Sequence, residues 1–337
     1  MKTLPRVLAG LIALCGAAAY ADTTLTVYTA LEADQVKAYQ DKFEQENPGV
    51  HIKWVRDSTG VITAKLLAEK NNPQADVVMG VAASSLLILD KEGMLQPYAP
   101  KGVDKLTKSY VDSKNPPAWA GMDVWGATIC FNTVEAAKQG LKKPESWKDL
   151  LKPEYKGKIV MPNPASSGTG YFDVSAWLKM FGEKGGWEYM DGLHQNIAQY
   201  EHSGSKPCKQ AATGEYPIGI SFEYRAASLK KGGAPIDLVF PKEGLGWDLE
   251  ATGIMKGTKN LDAAKKLADW SASRSANELF EKNFAVVAMP GVAKPIEFIP
   301  GNYEQMLIKQ DLGWAASNRD RILAEWTKRY DSKSEPK

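Results

Sequence analysis

The sequence predicts an α/β protein of two lobes, each a mostly parallel sheet flanked by helices, with a ligand cleft between them. Three observations predict it. Apolar strand patterns alternate with helical periodicity through the first hundred residues after residue 21. A second alternation starts near residue 159. Turns rich in serine, threonine and glycine recur where strands hand over to helices. Repeated β-α alternation builds helix-covered parallel sheets, and two such runs make two lobes.

The chain opens on a segment that does not belong to that fold. Lys2 and Arg6 precede the small apolar run Val7–Ala19, and Ala19-Tyr20-Ala21 reads as a small-x-small cleavage site. This is the pattern of a secretory signal peptide, residues 1–21. The run is shorter than the ~20 residues of a spanning helix. Lipid attachment through Cys15 is disfavoured because Leu14 stands where a small residue is needed.

The elements then follow in order. "TLTVY" (24–28) reads as a buried strand, and residues 33–47 as a helix with Val36, Tyr39 and Phe43 on one face and Asn47-Pro48-Gly49 as its stop. "VHIKWV" (50–55) alternates as a strand. "DSTG" (57–60) opens a helix carrying Ile62, Leu66 and Leu67. "ADVVMG" (75–80) is a third strand and residues 84–93 a third helix. A looser stretch, 95–123, leads to the strand "VWGATICFN" (124–132). The second alternation runs from "IVMPNP" (159–164) into a helix at 170–181, then the strands "YPIGISFEY" (216–224) and "IDLVFP" (236–241). Residues 261–272 and 319–330 are amphipathic helices.

Composition excludes several functions. Lys2 and Arg6 account for the whole surplus of basic over acidic residues, 42 against 40. Without them the formal charge is zero, a poor match for nucleic acid or an anionic membrane, both of which call for a basic face. Cys130 and Cys208 remain after cleavage. In an exported protein they are candidates for one disulfide. Two separate buried thiols are the alternative, because nothing in the sequence fixes their distance. The three histidines, His51, His194 and His202, lack metal-site spacing. There is no G-x-S-x-G elbow, no phosphate loop ending in Gly-Lys-Ser/Thr and no H-E-x-x-H. No enzyme activity, cofactor or metal is expected.

Ligands of open α/β sheets sit beyond the carboxyl ends of the strands. Here those ends are Thr29–Glu32, Asp57–Gly60, Gly80–Ser84, Asn163–Thr169 and Phe222–Tyr224. "DSTG", "VAASS" and "ASSGTG" each place hydroxyls and small residues just ahead of a helix, and "HSGSKPC" (202–208) is a fourth segment of that kind. Unpaired N–H groups, the helix dipole and hydroxyl donors make such turns fit for an anion without lysine or metal. Taken singly, each is equally a helix cap, worth ~1 kcal/mol. The remaining loops bring Glu32 and Glu223, flanked by Tyr28, Thr29, Phe222 and Tyr224. A carboxylate beside aromatic rings suits an ammonium. The competing roles are a first-turn acid for Glu32 and an ion pair with Arg225 for Glu223.

These segments together resemble the type II periplasmic solute-binding proteins of ABC importers, in the branch that includes ferric-ion-binding proteins. "LTVYTALE", "STGVITAKLLAE", "ADVVMG", "PESWKDLLKPEYKGKIVMPNPASSGTGY", "HSGSKPC" and "GISFEYRA" carry the resemblance, and the last three segments are most similar to 2-aminoethylphosphonate-binding proteins. By motif position the histidine ligand of the ferric branch falls on Glu32, its glutamate on Val81 and its tyrosine pair on Phe222 and Glu223, so the resemblance implies that the iron ligands are gone. The turn that holds a phosphate in that branch falls on Ser167, Gly168 and Thr169 and is kept.

The resemblance implies a two-lobed type II periplasmic binding fold: residues 22–123 and 247–305 as lobe 1, 124–246 as lobe 2 and 306–337 as C-terminal helices packing on both. It implies a periplasmic, monomeric, non-catalytic protein that captures 2-aminoethylphosphonate and delivers it to a membrane permease. Ser58, Thr59, Ser167, Gly168, Thr169 and Ser205 are the expected phosphonate donors, and Glu223 with Glu32 the ammonium acceptors. Tyr28, Thr29, Phe222 and Tyr224 are the expected cleft wall. Inorganic phosphate and ferric ion are the alternative ligands, and an enzyme on a similar fold the remote one.

Overall fold

The computed structural model describes residues 22–336. The expected export signal, with Cys15, lies outside the described residues. The first unit is built as the apolar pattern dictates: β1 (Thr23–Thr29), α1 (Ala33–Glu46), β2 (Val50–Arg56), α2 (Thr59–Ala68), β3 (Val77–Ala82), α3 (Ala83–Lys91) and the short β4 (Leu95–Gln96). α1 buries Tyr39 and Phe43, the residues its 3.6-residue period puts on one face. β1 is central and parallel to both β2 and β3.

β5 (Ala120–Asn132) is buried along its whole length and joins the two halves. Its first part, residues 120–126, pairs with β10 (Trp247–Met255), while residues 127–131 pair with β8 (Ile218–Phe222). The second half contains α4 (Thr133–Lys138), β6 (Ile159–Pro162), α5 (Gly168–Asn196), β7 (Ile197–Glu201), α6 (Lys206–Thr213), β8, α7 (Glu223–Lys231) and β9 (Ile236–Val239). α5 is broken at Gly182, whose φ of 76° only glycine adopts without strain. After β10 come α8 (Leu261–Ser271), α9 (Arg274–Phe280), β11 (Val286–Val287), α10 (Tyr303–Met306) and α11 (Leu312–Tyr330). α11 packs on α3 of one half and α5 of the other.

The strand path is β2-β1-β3-β10-β5-β8-β6-β7. Its outer members are parallel, as the β-α alternation predicts. β5 and β10 run antiparallel to their neighbours, which makes each sheet mixed, because the strands that join the halves enter each sheet from the other lobe. The chain changes sheets at Gly126-Ala127 and returns through residues 240–246. A backbone bond from the Ala127 N–H to the Gly246 carbonyl, 2.8 Å, ties the two crossings together.

The second half differs most from the sequence reading. β7 and α6 have no counterpart in it, nor do α9 and β11 further on, and residues 223–224 begin α7 instead of ending a strand. α6 has Ser205 ahead of it, Pro207 in its first turn and Gly214 at its end with φ 81°, a start-and-stop signature legible in sequence. α7 carries Glu223 in its first turn and Lys230 and Lys231 in its last, and Gly232-Gly233 follow.

Candidate functional site

Both halves contribute to one small cavity of ≈ 50 Å³ at their junction. Ser58 and Thr59 enter it from the start of α2, and Ser167, Gly168 and Thr169 from the start of α5. The two helix starts touch: the Gly60 N–H donates to the Ser166 carbonyl at 2.8 Å, and a Cβ on Gly168 would lie 2.8 Å from Thr59 Oγ1. Two positive helix ends therefore face one enclosed space.

The hydroxyls separate into two kinds. Ser58 Oγ makes no cap bond to its own helix, so the cap role that competes with ligand binding is not used. Ser167 Oγ does cap α5, accepting from the Gly170 N–H at 3.3 Å, and Thr169 Oγ1 accepts from Trp125 Nε1 at 3.3 Å. A hydroxyl that accepts still has its proton to donate. The donors are thus held in place by the protein and aimed at a shared space.

Other expected site residues stand elsewhere. Ser205 is buried but not in the cavity wall; Ser203 and Gly204 line it instead. Gly204 is needed there, because a Cβ would meet Thr169 Oγ1 at 2.4 Å. Thr29 Oγ1 accepts from the Leu31 N–H and is not in the wall of this cavity. Tyr28 turns to the far end of α2, donating to the Glu69 carboxylate at 3.0 Å with Lys65 over its ring. Tyr224 stacks under Arg225 and against Phe284. Of the expected wall residues, Phe222 alone lines the cavity.

The two carboxylates expected to hold an ammonium have other partners. Glu32 reaches the cavity, but Arg225 lies 2.9 Å from its carboxylate, with Lys209 at 3.8 Å and Arg56 at 3.9 Å. Its charge is already answered. Arg225 binds Asp34 as well, so this pairing fastens α7 of one half to α1 of the other. Glu223 starts α7 and turns under the crossing strand, where its Oε2 accepts from the Gly126 N–H at 2.8 Å. It is absent from the cavity wall. The reason is the helix start: with Glu223 in α7 rather than in a strand, its side chain no longer follows the period-two alternation.

Burial pushes the Glu223 carboxyl up to about 8, against the lowering effect of the Gly126 hydrogen bond. In the unfolded chain it ionises near ~4.3. Its stabilising contribution is complete below the unfolded value and is lost as pH rises through the folded one. Glu250 and Asp248 are shifted the same way by burial, to about 8 and about 6. The unliganded protein is expected to lose stability from about pH 5 to about 8.5. Glu223→Gln, neutral at every pH, should flatten that decline. Guanidinium unfolding of both proteins across the range checks it, and parallel profiles would mean that Glu223 is ionised in the fold.

The structure adds residues that the loops did not reveal. Gln35, Arg56, Trp125, Glu250 and Phe284 all line the cavity. Glu250 faces Asp123 across the β10–β5 pair, and both are buried. An acid flanked by apolar residues inside a strand, as in Met122-Asp123-Val124 and Leu249-Glu250-Ala251, is the sequence signal that was available. Cys130 of β5 and Cys208 of α6 form a disulfide.

The comparisons with known proteins agree with this architecture. An uncharacterized protein of Haemophilus influenzae is 35% identical over 246 residues, 72% of this chain and 70% of that one. A probable ABC transporter periplasmic-binding protein of Sinorhizobium fredii, y4fP, is 27% identical over 312 residues, 87% of this chain and 82% of the relative. The solved structure of the periplasmic binding protein AfuA from Actinobacillus pleuropneumoniae, with fructose-6-phosphate bound, superposes with a TM-score of 0.86 at 30% identity, covering 92% of this chain and 99% of that one. The family model for bacterial extracellular solute-binding proteins matches residues 72–299. The chain belongs to the bacterial extracellular solute-binding proteins, a family that binds solutes and does not transform them.

Proposed function

We propose that this protein is the periplasmic capture component of an ABC importer and that its solute is 2-aminoethylphosphonate. The observation that carries the reading is the meeting of two helix starts, α2 and α5, around Ser58, Thr59, Ser167, Gly168 and Thr169. That arrangement offers several donors to a tetrahedral anion and no carboxylate among them. AfuA, whose structure contains a sugar phosphate, supports a solute that carries an oxyanion, and the Sinorhizobium relative's name supports delivery to a permease.

The size of the cavity, ≈ 50 Å³, favours a ligand of few heavy atoms over a hexose phosphate. The closed junction also implies that the lobes part by a hinge motion to admit it. Gly126-Ala127 and residues 240–246 are the proposed hinge, since there the strands pass from one sheet to the other.

Isothermal titration tests the reading. Micromolar or tighter binding of 2-aminoethylphosphonate is expected, with weaker binding of inorganic phosphate and of fructose 6-phosphate. Phosphate binding as tightly as the aminophosphonate would assign a phosphate carrier instead. A coloured protein on addition of ferric salt would assign iron.

A further inference from the structure

We propose that Asp123 and Glu250 form a paired-carboxylate receptor for the ammonium of the solute, in place of the Glu32 and Glu223 that sequence reasoning assigned. This rests on the preceding reading and names the part of the site that sets its selectivity.

Glu250 lines the same cavity as the hydroxyl donors. Asp123 is its register partner across antiparallel β10 and β5, so the two side chains lie on one face of the sheet. Glu250 is 9% exposed and Asp123 fully buried. Apart from each other's carboxyl, no protein donor reaches either oxygen of Asp123 or Oε2 of Glu250. Two acids so close and so buried cannot both stay ionised without a cation, and a hydrogen bond between them holds the unliganded pair together. Asp173 is equally buried and unpartnered but does not line this cavity; Glu250 does.

The surroundings suit a cation. Trp125, Phe222 and Phe284 line the cavity with Glu250, and aromatic faces beside carboxylates attract an ammonium. Glu223 acts on Asp123 and Glu32 on Glu250; the cation in the cavity wall, Arg56, lies 3.9 Å from Glu32. Arg225 is engaged by Glu32 and Asp34. Burial raises both acids; Glu250 raises Asp123 further, well above its ordinary range, while the hydrogen bond from Asp123 works the other way on Glu250, so without a cation the pair holds a shared proton. An ammonium arriving beside them favours ionisation. The proton leaves to solvent, the ammonium keeps its own, and the net charge of the pocket stays balanced.

The test uses four probes in two matched pairs: 2-aminoethylphosphonate with ethylphosphonate, and O-phosphoethanolamine with ethyl phosphate. Wild type should prefer each aminated probe. Glu250→Gln should lose about 30-fold or more of its affinity for the aminated probes and hold the others unchanged, and Asp123→Asn should move the same way. Glu223→Gln should leave the preference intact. A second measurement needs no variant: titration in two buffers of different ionisation enthalpy should show proton release with aminated probes only. Aminated and plain probes binding wild type equally, or Glu250→Gln keeping the preference, would overturn the acid pair and leave the phosphonate reading standing. No heat from any of the four would overturn both.

Discussion

Replacing Gly60 with alanine is expected to weaken binding of 2-aminoethylphosphonate by about 100-fold, close to 3 kcal/mol, without lowering the unfolding midpoint of the unliganded protein. Gly60 sits in the first turn of α2, where it meets the β6–α5 loop of the other lobe. A Cβ there would lie 2.1 Å from the Ala165 carbonyl oxygen and 2.8 Å from that of Ser166. Those are backbone atoms of a loop that cannot yield. Asn163 Oδ1 accepts from the Ala165 N–H at 2.8 Å, and Ser166 Oγ donates to the His202 carbonyl at 2.7 Å. The methyl group therefore acts against the closed junction alone. In the open form it adds a better helix former than glycine to α2. A ligand that binds only the closed form loses affinity by the amount closure has become harder. Gly168→Ala is the graded control. Its nearest contact is Thr59 Oγ1 at 2.8 Å, a side chain that can rotate, so a loss of about 10-fold or less is expected. Titration calorimetry and thermal unfolding of both variants measure this. An unchanged dissociation constant for Gly60→Ala would show that these two loops do not meet in the bound form.

The same junction explains why an anion would drive closure. α2 and α5 point their positive ends at one another, and like ends repel in an empty cleft. Side-chain contacts join the two halves beside it: Arg225 pairs with Glu32 and Asp34, and His202 Nε2 lies 2.9 Å from Asp57 Oδ1. Between the two helix starts the protein places hydroxyls and backbone donors. A dianion there removes the repulsion that these side-chain contacts must otherwise overcome.

How much of this was legible in sequence depended on range. The β-α alternation, the helix starts at Ser58 and Ser167 and the pairing candidates Cys130 and Cys208 are written in local patterns, and the cavity gathers most of the anion donors so identified. The acids were a different matter. Glu32 was visible as a cleft residue, but its neutralisation by Arg225 depends on a helix 193 positions away. Glu223 was read as the end of a strand because Phe222-Glu223-Tyr224 continues an apolar run, when the helix signals lay downstream in Lys230, Lys231 and Gly232. Asp123 and Glu250 become a pair only through the register of β5 with β10, which no periodicity encodes.

Removing the Cys130–Cys208 disulfide, as the double alanine variant, is expected to cost about 4–5 kcal/mol of unfolding free energy from loop entropy alone. The bridge spans a sequence separation of 78 residues. Opening so long a loop frees much of lobe 2 in the unfolded chain, since β6, α5 and β7 all lie between the two cysteines. The native side adds to the loss. Both residues are fully buried in a small cluster with Ala211, Ala226 and Ile236, set apart from the main core. The effect on binding should be smaller but present, because α6 follows directly on the Ser203-Gly204 turn that lines the cavity. If the bridge only limits the unfolded chain, affinity stays at the wild-type value while stability falls. If it also sets the height of α6, dissociation quickens in proportion to the freedom α6 gains. Guanidinium unfolding and ligand dissociation rates, measured on wild type and the double variant, separate the two. A stability loss below about 1 kcal/mol would contradict the loop argument and place the bridge's role in the geometry of the site.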